Sequence, residues 1–131
     1  ALRSLGAPAG LCRRPRGASV EGLEAGLGTA RPGNRACDVA NALAAPLEAA
    51  GITRGARCGY PIGLSYPPDW GERTISFRRG DKTILEPGMT FHFMPALWLD
   101  DGGLEITEPI RITETGHQCF STTPRKLFGS A

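Results

Sequence analysis

Apolar residues recur at helical spacing in the first third of the chain. After Ser19, which is suited to cap a helix, they follow one another every three or four residues: Val20, Leu23 and Leu27. Pro32 and Gly33 then interrupt the pattern. The sequence therefore predicts a short amphipathic helix that begins near Ser19 and ends at about Arg31.

A second helix is predicted from about Ala36 to Ala50, and Gly51 is well placed to end it. The residues expected to face the core lie at helical spacing: Val39, Leu43 and Leu47. Pro46 lies inside this segment, where a proline removes one backbone hydrogen bond and costs about 3 kcal/mol unless the helix bends. We therefore expect a kink between Ala42 and Pro46.

Beyond Gly51 the pattern changes to short apolar and β-branched runs separated by glycine and proline. The predicted strands are Cys58 to Leu64, Thr74 to Phe77, Thr83 to Leu85, Thr90 to Leu99, Leu104 to Thr113 and His117 to Ser121. Helices followed by consecutive strands indicate an α+β architecture. We expect two helices packed on one face of a mainly antiparallel, curved sheet.

The predicted strand after the Pro87-Gly88 turn should have two different faces, because side chains alternate along a strand. One face carries Phe91, Phe93 and Ala96. The opposite face carries His92 and Met94, and in the assumed sheet it also receives Glu105 and Thr107 from the next long strand. This polar face is where we expect the chemistry.

Three motifs resemble the superfamily that contains methionine aminopeptidase, prolidase and creatinase. Glu86 to Pro95 resembles Glu-Pro-Gly-Met-x-Phe-x-x-Glu-Pro, with Met94 in place of a metal-binding glutamate. Gly59 to Gly63 resembles Gly-His-Gly-Ile-Gly, with Tyr60 in place of a metal-binding histidine. Glu105 to Gly116 resembles the family's final strand, with Thr107 in place of the last ligating glutamate. Tyrosine, methionine and threonine do not replace these ligands around a hard divalent ion, so the resemblance implies no metal and no other cofactor.

The neighbouring residues resemble ectoine-hydrolase-like members of the superfamily. The matching segments are Gly59 to Glu72, Leu85 to His92 and Leu104 to Ile106. The resemblance implies a metal-independent hydrolase acting on a cyclic amidine C–N bond, with ectoine or a similar cationic amidine as its small-molecule substrate. A creatinase-like hydrolase or an Xaa-Pro peptidase of the same fold, and a non-catalytic truncated remnant, are the alternatives.

Only the second half of the family's catalytic domain, the pita-bread fold, is covered by the resemblance. Residues 18–131 are therefore expected to form this C-terminal half, as part of a larger enzyme that is a homodimer at full length. Residues 1–17 contain four arginines and no acid, and we expect them to be a disordered basic lead-in.

The substrate-binding candidates are centred on the loop from Ser65 to Glu72, which two consecutive prolines stiffen. It presents aromatic and acidic side chains that suit a small cation: Tyr66, Asp69, Trp70 and Glu72. Alternatively, Trp70 packs on the sheet and Asp69 caps a turn. Met94 and Thr107 would also line the pocket, and Trp98 would form its wall or belong to the core.

The catalytic candidates are Glu105, His92 and Tyr60. Glu105 would pair with an amidinium or orient the attacking water, or else be a solvated carboxylate. His92 would transfer protons near neutral pH, or be a hydrogen-bonded core residue. Tyr60 would donate a hydrogen bond to the substrate or to a tetrahedral intermediate, or pack against the sheet. Glu108 should point away from these residues and have a structural role.

Charge and cysteine content limit the choice of partners and compartment. A net charge of +2 is too small to indicate nucleic acid or an anionic membrane. No apolar run approaches the roughly 20 residues needed to cross a bilayer. The cysteines form no Cys-x-x-Cys pair and are predicted to be free thiols: Cys12, Cys37, Cys58 and Cys119. Free thiols are typical of a reducing cytoplasm, where we expect the protein.

Overall fold

Two helices and two antiparallel sheets form the described part of this computed structural model, residues 2–5, 13–63, 74–99 and 102–125. The elements are β1 (Leu2–Leu5), α1 (Arg13–Thr29), α2 (Ala36–Ala49), β2 (Gly59–Pro61), β3 (Thr90–Phe93), β4 (Ala96–Leu99), β5 (Gly102–Ile106), β6 (Glu108–Ile112) and β7 (His117–Cys119). One sheet has the order β1-β5-β4 and the other β2-β3-β6-β7. The predicted α+β architecture is confirmed.

The first helix begins at Arg13, so the predicted start near Ser19 is wrong. Ser19 is buried inside the helix and does not cap it. The prediction that residues 1–17 are disordered is also wrong for Leu2–Leu5, which pair with β5, and for residues 13–17. Arginine favours helices, and Pro15 falls in the first turn, where a proline is tolerated. Composition alone therefore predicted the wrong boundary between the lead-in and the first helix.

The second helix spans Ala36–Ala49, as predicted. The backbone N–H of Arg35 donates to Asp38 Oδ2 at 2.9 Å, which fixes the start of the helix. Gly51 has φ 75°, the left-handed conformation that commonly ends a helix. The helix continues through Pro46 without a break, so a break is excluded and a kink stays a prediction.

Glycines of α1 allow close contacts with its neighbours. A Cβ added to Gly22 would lie 2.7 Å from the carbonyl oxygen of Leu43 in α2. A Cβ added to Gly26 would lie 2.5 Å from Cζ of Phe93 in β3. Real Cβ atoms do not approach neighbours this closely, so both positions require glycine unless the contacts shift.

Gly26→Ala should therefore lower the free energy of unfolding by about 1–3 kcal/mol, because the new methyl group overpacks the contact with Phe93. Gly28→Ala is a matched control in the same helix, where nothing lies within 4 Å of the added Cβ. It should instead raise the free energy of unfolding by up to about 1 kcal/mol, through higher helix propensity. Urea denaturation measures both, and effects of the same sign and size would contradict this packing.

Strands β3 to β6 form one long hairpin that bends in its middle. Phe93 pairs with Glu108 on one side of the bend and Ala96 with Glu105 on the other, in the same register. The unchanged register places Met94 opposite Thr107, and Ile106 N–H still donates to Pro95 O at 3.2 Å. Proline has no N–H to continue the ladder, which explains why the hairpin is divided there between two sheets. Two predicted long strands are thus each divided in two.

Alternation continues through this bend. The inward face of the hairpin is buried: Phe91, Phe93, Pro95, Leu97, Leu104, Ile106, Glu108, Ile110 and Ile112. Because Pro95 occupies the inward position after Phe93, Ala96 lies opposite Glu105 on the other face. The prediction that Ala96 shares a face with Phe91 is therefore wrong. We call the opposite face, with His92, Met94, Ala96, Trp98, Glu105 and Thr107, the polar face.

The remaining predicted strands are shorter than expected. The segment from Cys58 contributes only β2, and the last strand ends at Cys119. The predicted strands at Thr74 to Phe77 and Thr83 to Leu85 are wrong, since each supplies a single bridge: Phe77 to Gly59 and Ile84 to Arg35. No helix in the described part of the chain is long and apolar enough to span a bilayer.

Candidate functional site

The polar face brings together the candidate residues that the structure describes. Tyr60 of β2 lies opposite His92 of β3, so both side chains are on this face. Met94 and Thr107 form the next cross-strand pair, and Glu105 follows after the bend. The side chains share an intermediate exposure: Tyr60, His92, Met94, Glu105 and Thr107. Half-buried polar groups in a row are suited to bind a ligand, because they are partly desolvated but still accessible.

Tyr60 and His92 are in direct contact. The Tyr60 hydroxyl lies 2.7 Å from His92 Nδ1, and the two rings meet edge-on with centroids 5.2 Å apart. The guanidinium of Arg57 lies 4.8 Å from the centroid of the Tyr60 ring. Either Tyr60 O–H donates to Nδ1, or Nδ1–H donates to the Tyr60 oxygen. In the first tautomer Nε2 carries the proton and can donate it, and in the second Nε2 is unprotonated and can accept one.

Burial lowers the pKa of His92 below its ordinary value, and the negative charge of Glu105 partly opposes this shift. His92 is therefore neutral at neutral pH, as a proton acceptor requires. Glu105 lies across the bend from His92, on a neighbouring strand of the same hairpin. The structure thus combines a neutral imidazole, a phenol and a carboxylate on one surface.

Both histidines should make folding sensitive to mild acid. Burial is the main cause that lowers the pKa of His92 and of His117 in the folded chain. The unfolded chain, with histidine pKa values of about 6.5, then binds more protons, so the free energy of unfolding falls as pH drops below about 6.5. His92→Gln should reduce this acid loss, and His117→Gln should reduce the remainder. Urea denaturation between about pH 5 and 7 measures it; an unchanged loss in both variants would contradict these shifts.

The donor set does not fit a hard divalent metal ion. Among the described residues there is no group of three or more histidine, cysteine, aspartate or glutamate side chains that could hold one. The positions where the motif resemblance implies metal ligands carry Tyr60, Met94 and Thr107, and the Tyr60 hydroxyl is already hydrogen-bonded to His92. Thioether and neutral hydroxyl groups bind such ions poorly. No catalytic step is therefore assigned to a metal.

Trp98 lies on the polar face but forms no closed wall. It is 76% exposed and opposite Gly103, and a Cβ added to Gly103 would lie 3.4 Å from the indole ring. The alternative that Trp98 is a core residue is therefore wrong. The four loop candidates, Tyr66, Asp69, Trp70 and Glu72, lie outside the described residues.

Glu108 points away from the site, as predicted, into the core. It is 2% exposed; its Oε2 accepts a hydrogen bond from Arg125 Nε at 3.0 Å and forms an ion pair with Arg125 Nη2, also at 3.0 Å. Its Oε1 has no hydrogen-bond partner among the described residues. Sequence reasoning did not identify Arg125. The signal available was indirect: a buried glutamate requires a cation, but the cation lies in the segment after the last strand.

A bent antiparallel hairpin packed under two helices defines one half of a pita-bread fold. The sequence pattern of metallopeptidase family M24 matches residues 13–114, and the chain belongs to this family. Dipeptidase PepE from Mycobacterium ulcerans has a similar fold, with TM-score 0.82 and 25% identity over 94% of this chain and 33% of that one. An X-Pro aminopeptidase from Thermotoga maritima gives TM-score 0.82 and 21% identity over 95% and 35% of the two chains.

Ectoine hydrolase from Halomonas elongata is 60% identical over 125 residues, which are 95% of this chain and 31% of that enzyme. The chain thus spans about a third of the length of the relatives it matches. The predicted family resemblance and the half-fold are confirmed. The absence of a metal, the homodimer and the cytoplasmic location stay predictions.

Proposed function

We propose that this chain supplies one half of the active site of a metal-independent hydrolase that opens the amidine ring of ectoine. The observation that carries this proposal is the polar face, where the Tyr60–His92 pair and the Glu105 carboxylate lie together without a donor set for a hard metal. The 60% identity to an ectoine hydrolase supports the choice of substrate. Any complete enzyme needs residues beyond this chain.

Glu105 binds the cationic end of the substrate. An amidinium is planar and delocalised and carries N–H donors, so it forms charge-assisted hydrogen bonds with a carboxylate as a guanidinium does. Among the polar-face residues Glu105 is the carboxylate, and its partial burial strengthens the interaction by excluding water. This pairing would orient the ring toward His92.

His92 and Tyr60 divide the proton transfers between them. When Nδ1–H donates to the Tyr60 oxygen, Nε2 is free to accept a proton from water, and the Tyr60 O–H is free to donate to the substrate. The water oxygen bonds to the amidine carbon, and one C–N bond of the ring breaks. The departing nitrogen takes up the Tyr60 hydroxyl proton and leaves as an amine, Nδ1–H of His92 returns a proton to the Tyr60 oxygen, and the carbon keeps the new oxygen as an amide.

A chimera tests this function. This chain replaces the matching third of the Halomonas elongata enzyme, and the parent enzyme is the control. The chimera should hydrolyse ectoine within about tenfold of the parent rate, equivalent to 1.4 kcal/mol, and should not hydrolyse creatine or an Xaa-Pro dipeptide. A folded chimera that is inert would favour the non-catalytic remnant. Preference for creatine or for the dipeptide would favour the other hydrolases of the fold.

A further inference from the structure

Arg54 joins two segments of backbone that are far apart in sequence. Its Nε donates to Ala96 O at 2.8 Å, and Nη2 donates to Met94 O at 3.4 Å. Nη1 donates to Ala56 O at 2.9 Å, and Nη2 also donates to Arg57 O at 2.8 Å. The planar guanidinium therefore joins the segment before β2 to both sides of Pro95.

Two of the four carbonyls, those of Met94 and Ala96, lie at the bend of the hairpin. Met94 and Ala96 flank Pro95, which still accepts a hydrogen bond from Ile106 N–H at 3.2 Å but has no N–H to donate a second, so the pairing that orients β4 relative to β3 is weakened at this point. His92 lies on one side of the bend. Glu105, opposite Ala96, lies on the other. The angle of the bend thus sets how far the carboxylate is from the imidazole.

The neighbouring thiol does not supply a negative charge to Arg54. Burial raises the pKa of Cys58 to about 12, so its thiol is neutral, and its Sγ lies 3.2 Å from Phe77 O. Besides its contact with the Cys58 thiol, Arg54 donates hydrogen bonds to four backbone carbonyls, which its planar fork reaches together. Lysine has a single ammonium and cannot reproduce this geometry.

We propose that Arg54 is a positioning residue that fixes the bend of the hairpin and thereby sets the distance between Glu105 and His92. Its importance for turnover rests on the proposed function. The positioning itself does not, because the interaction between Glu105 and His92 is measurable without a substrate.

The test is an NMR titration of His92 in the 131-residue chain and in three variants: Glu105→Gln, Arg54→Gln and the double variant. Removing the charge of Glu105 should lower the pKa of His92, because that charge stabilises the imidazolium. In the Arg54→Gln background the same substitution should have an effect smaller by roughly twofold or more, because the bend is no longer fixed. Comparing the change that Glu105→Gln causes in the pKa of His92 with and without Arg54 cancels the direct effect of the Arg54 charge on that pKa.

Arg79→Gln is the matched control, since Arg79 forms an exposed ion pair with Glu48 and should leave the coupling unchanged. Arg54→Lys keeps the charge but not the fork, and should weaken the coupling as Arg54→Gln does. Full coupling in folded Arg54→Gln would overturn the proposal. If neither Arg54 variant folds, as judged by dispersed amide spectra, Arg54 supports the whole fold rather than the site, and the proposal is also overturned. Inactivity of the chimera would bear on the function alone.

Discussion

Glu105→Gln in the chimera is expected to lower kcat/KM for ectoine roughly 100-fold, mainly by raising KM. Losing the anionic partner of a partly buried cation costs about 3 kcal/mol, which corresponds to this factor. The amide keeps the size of the side chain and one acceptor oxygen, so the loss is attributable to charge. Steady-state kinetics with ectoine measures both constants.

Glu114→Gln is the control for this substitution, because Glu114 is exposed in the turn after β6 and its loss should leave both constants unchanged. A chimera carrying Glu105→Gln that opens the ectoine ring at the normal rate would contradict the proposed role of Glu105. A fall in kcat at constant KM would assign Glu105 to the attacking water instead of to the amidinium.

Arg125→Met is expected to lower the free energy of unfolding by about 3–5 kcal/mol, because it leaves the buried carboxylate of Glu108 without its cation. Glu108 has one oxygen on Arg125 and the other without a partner among the described residues, so nothing described there compensates the charge. Urea denaturation at neutral pH measures the effect. This is the largest stability change we expect from removing one polar partner.

A double variant separates the buried charge from simple loss of packing. Adding Glu108→Leu to Arg125→Met should restore most of the lost stability, since an apolar pair of similar volume is often as stable as a buried ion pair. Glu24→Gln is the control, because the 3.8 Å contact of Glu24 with Arg125 is largely exposed and should contribute little. A double variant as unstable as Arg125→Met alone would contradict the role of the charge.

The polar face could be predicted from sequence because it depends only on alternation. Alternation along each strand places four residues on the same face: His92, Met94, Glu105 and Thr107. The bend does not change this alternation. Ala96 was assigned to the wrong face, because strict alternation from Phe91 and Phe93 places Pro95, and not Ala96, on the inward side. In the structure Pro95 is an ordinary inward-facing position that lacks only its N–H.

Interactions between distant segments could not be predicted. Arg54 contacts Ala96 and Arg125 contacts Glu108, and neither pair has a periodic or motif signal that distinguishes those arginines from others in the chain. The pairing of Leu2–Leu5 with β5 was missed for the same reason. Such partners are fixed by tertiary structure, whereas local patterns fix helices, turns and faces.

Metal independence is tested most directly by the rate of ectoine hydrolysis by the chimera after dialysis against a chelator, with metal content determined on the same sample by mass spectrometry. Because Tyr60, Met94 and Thr107 stand where the motif resemblance implies metal ligands, we expect an undiminished rate at substoichiometric metal. Loss of activity on dialysis, restored by manganese or cobalt bound in stoichiometric amount, would contradict it.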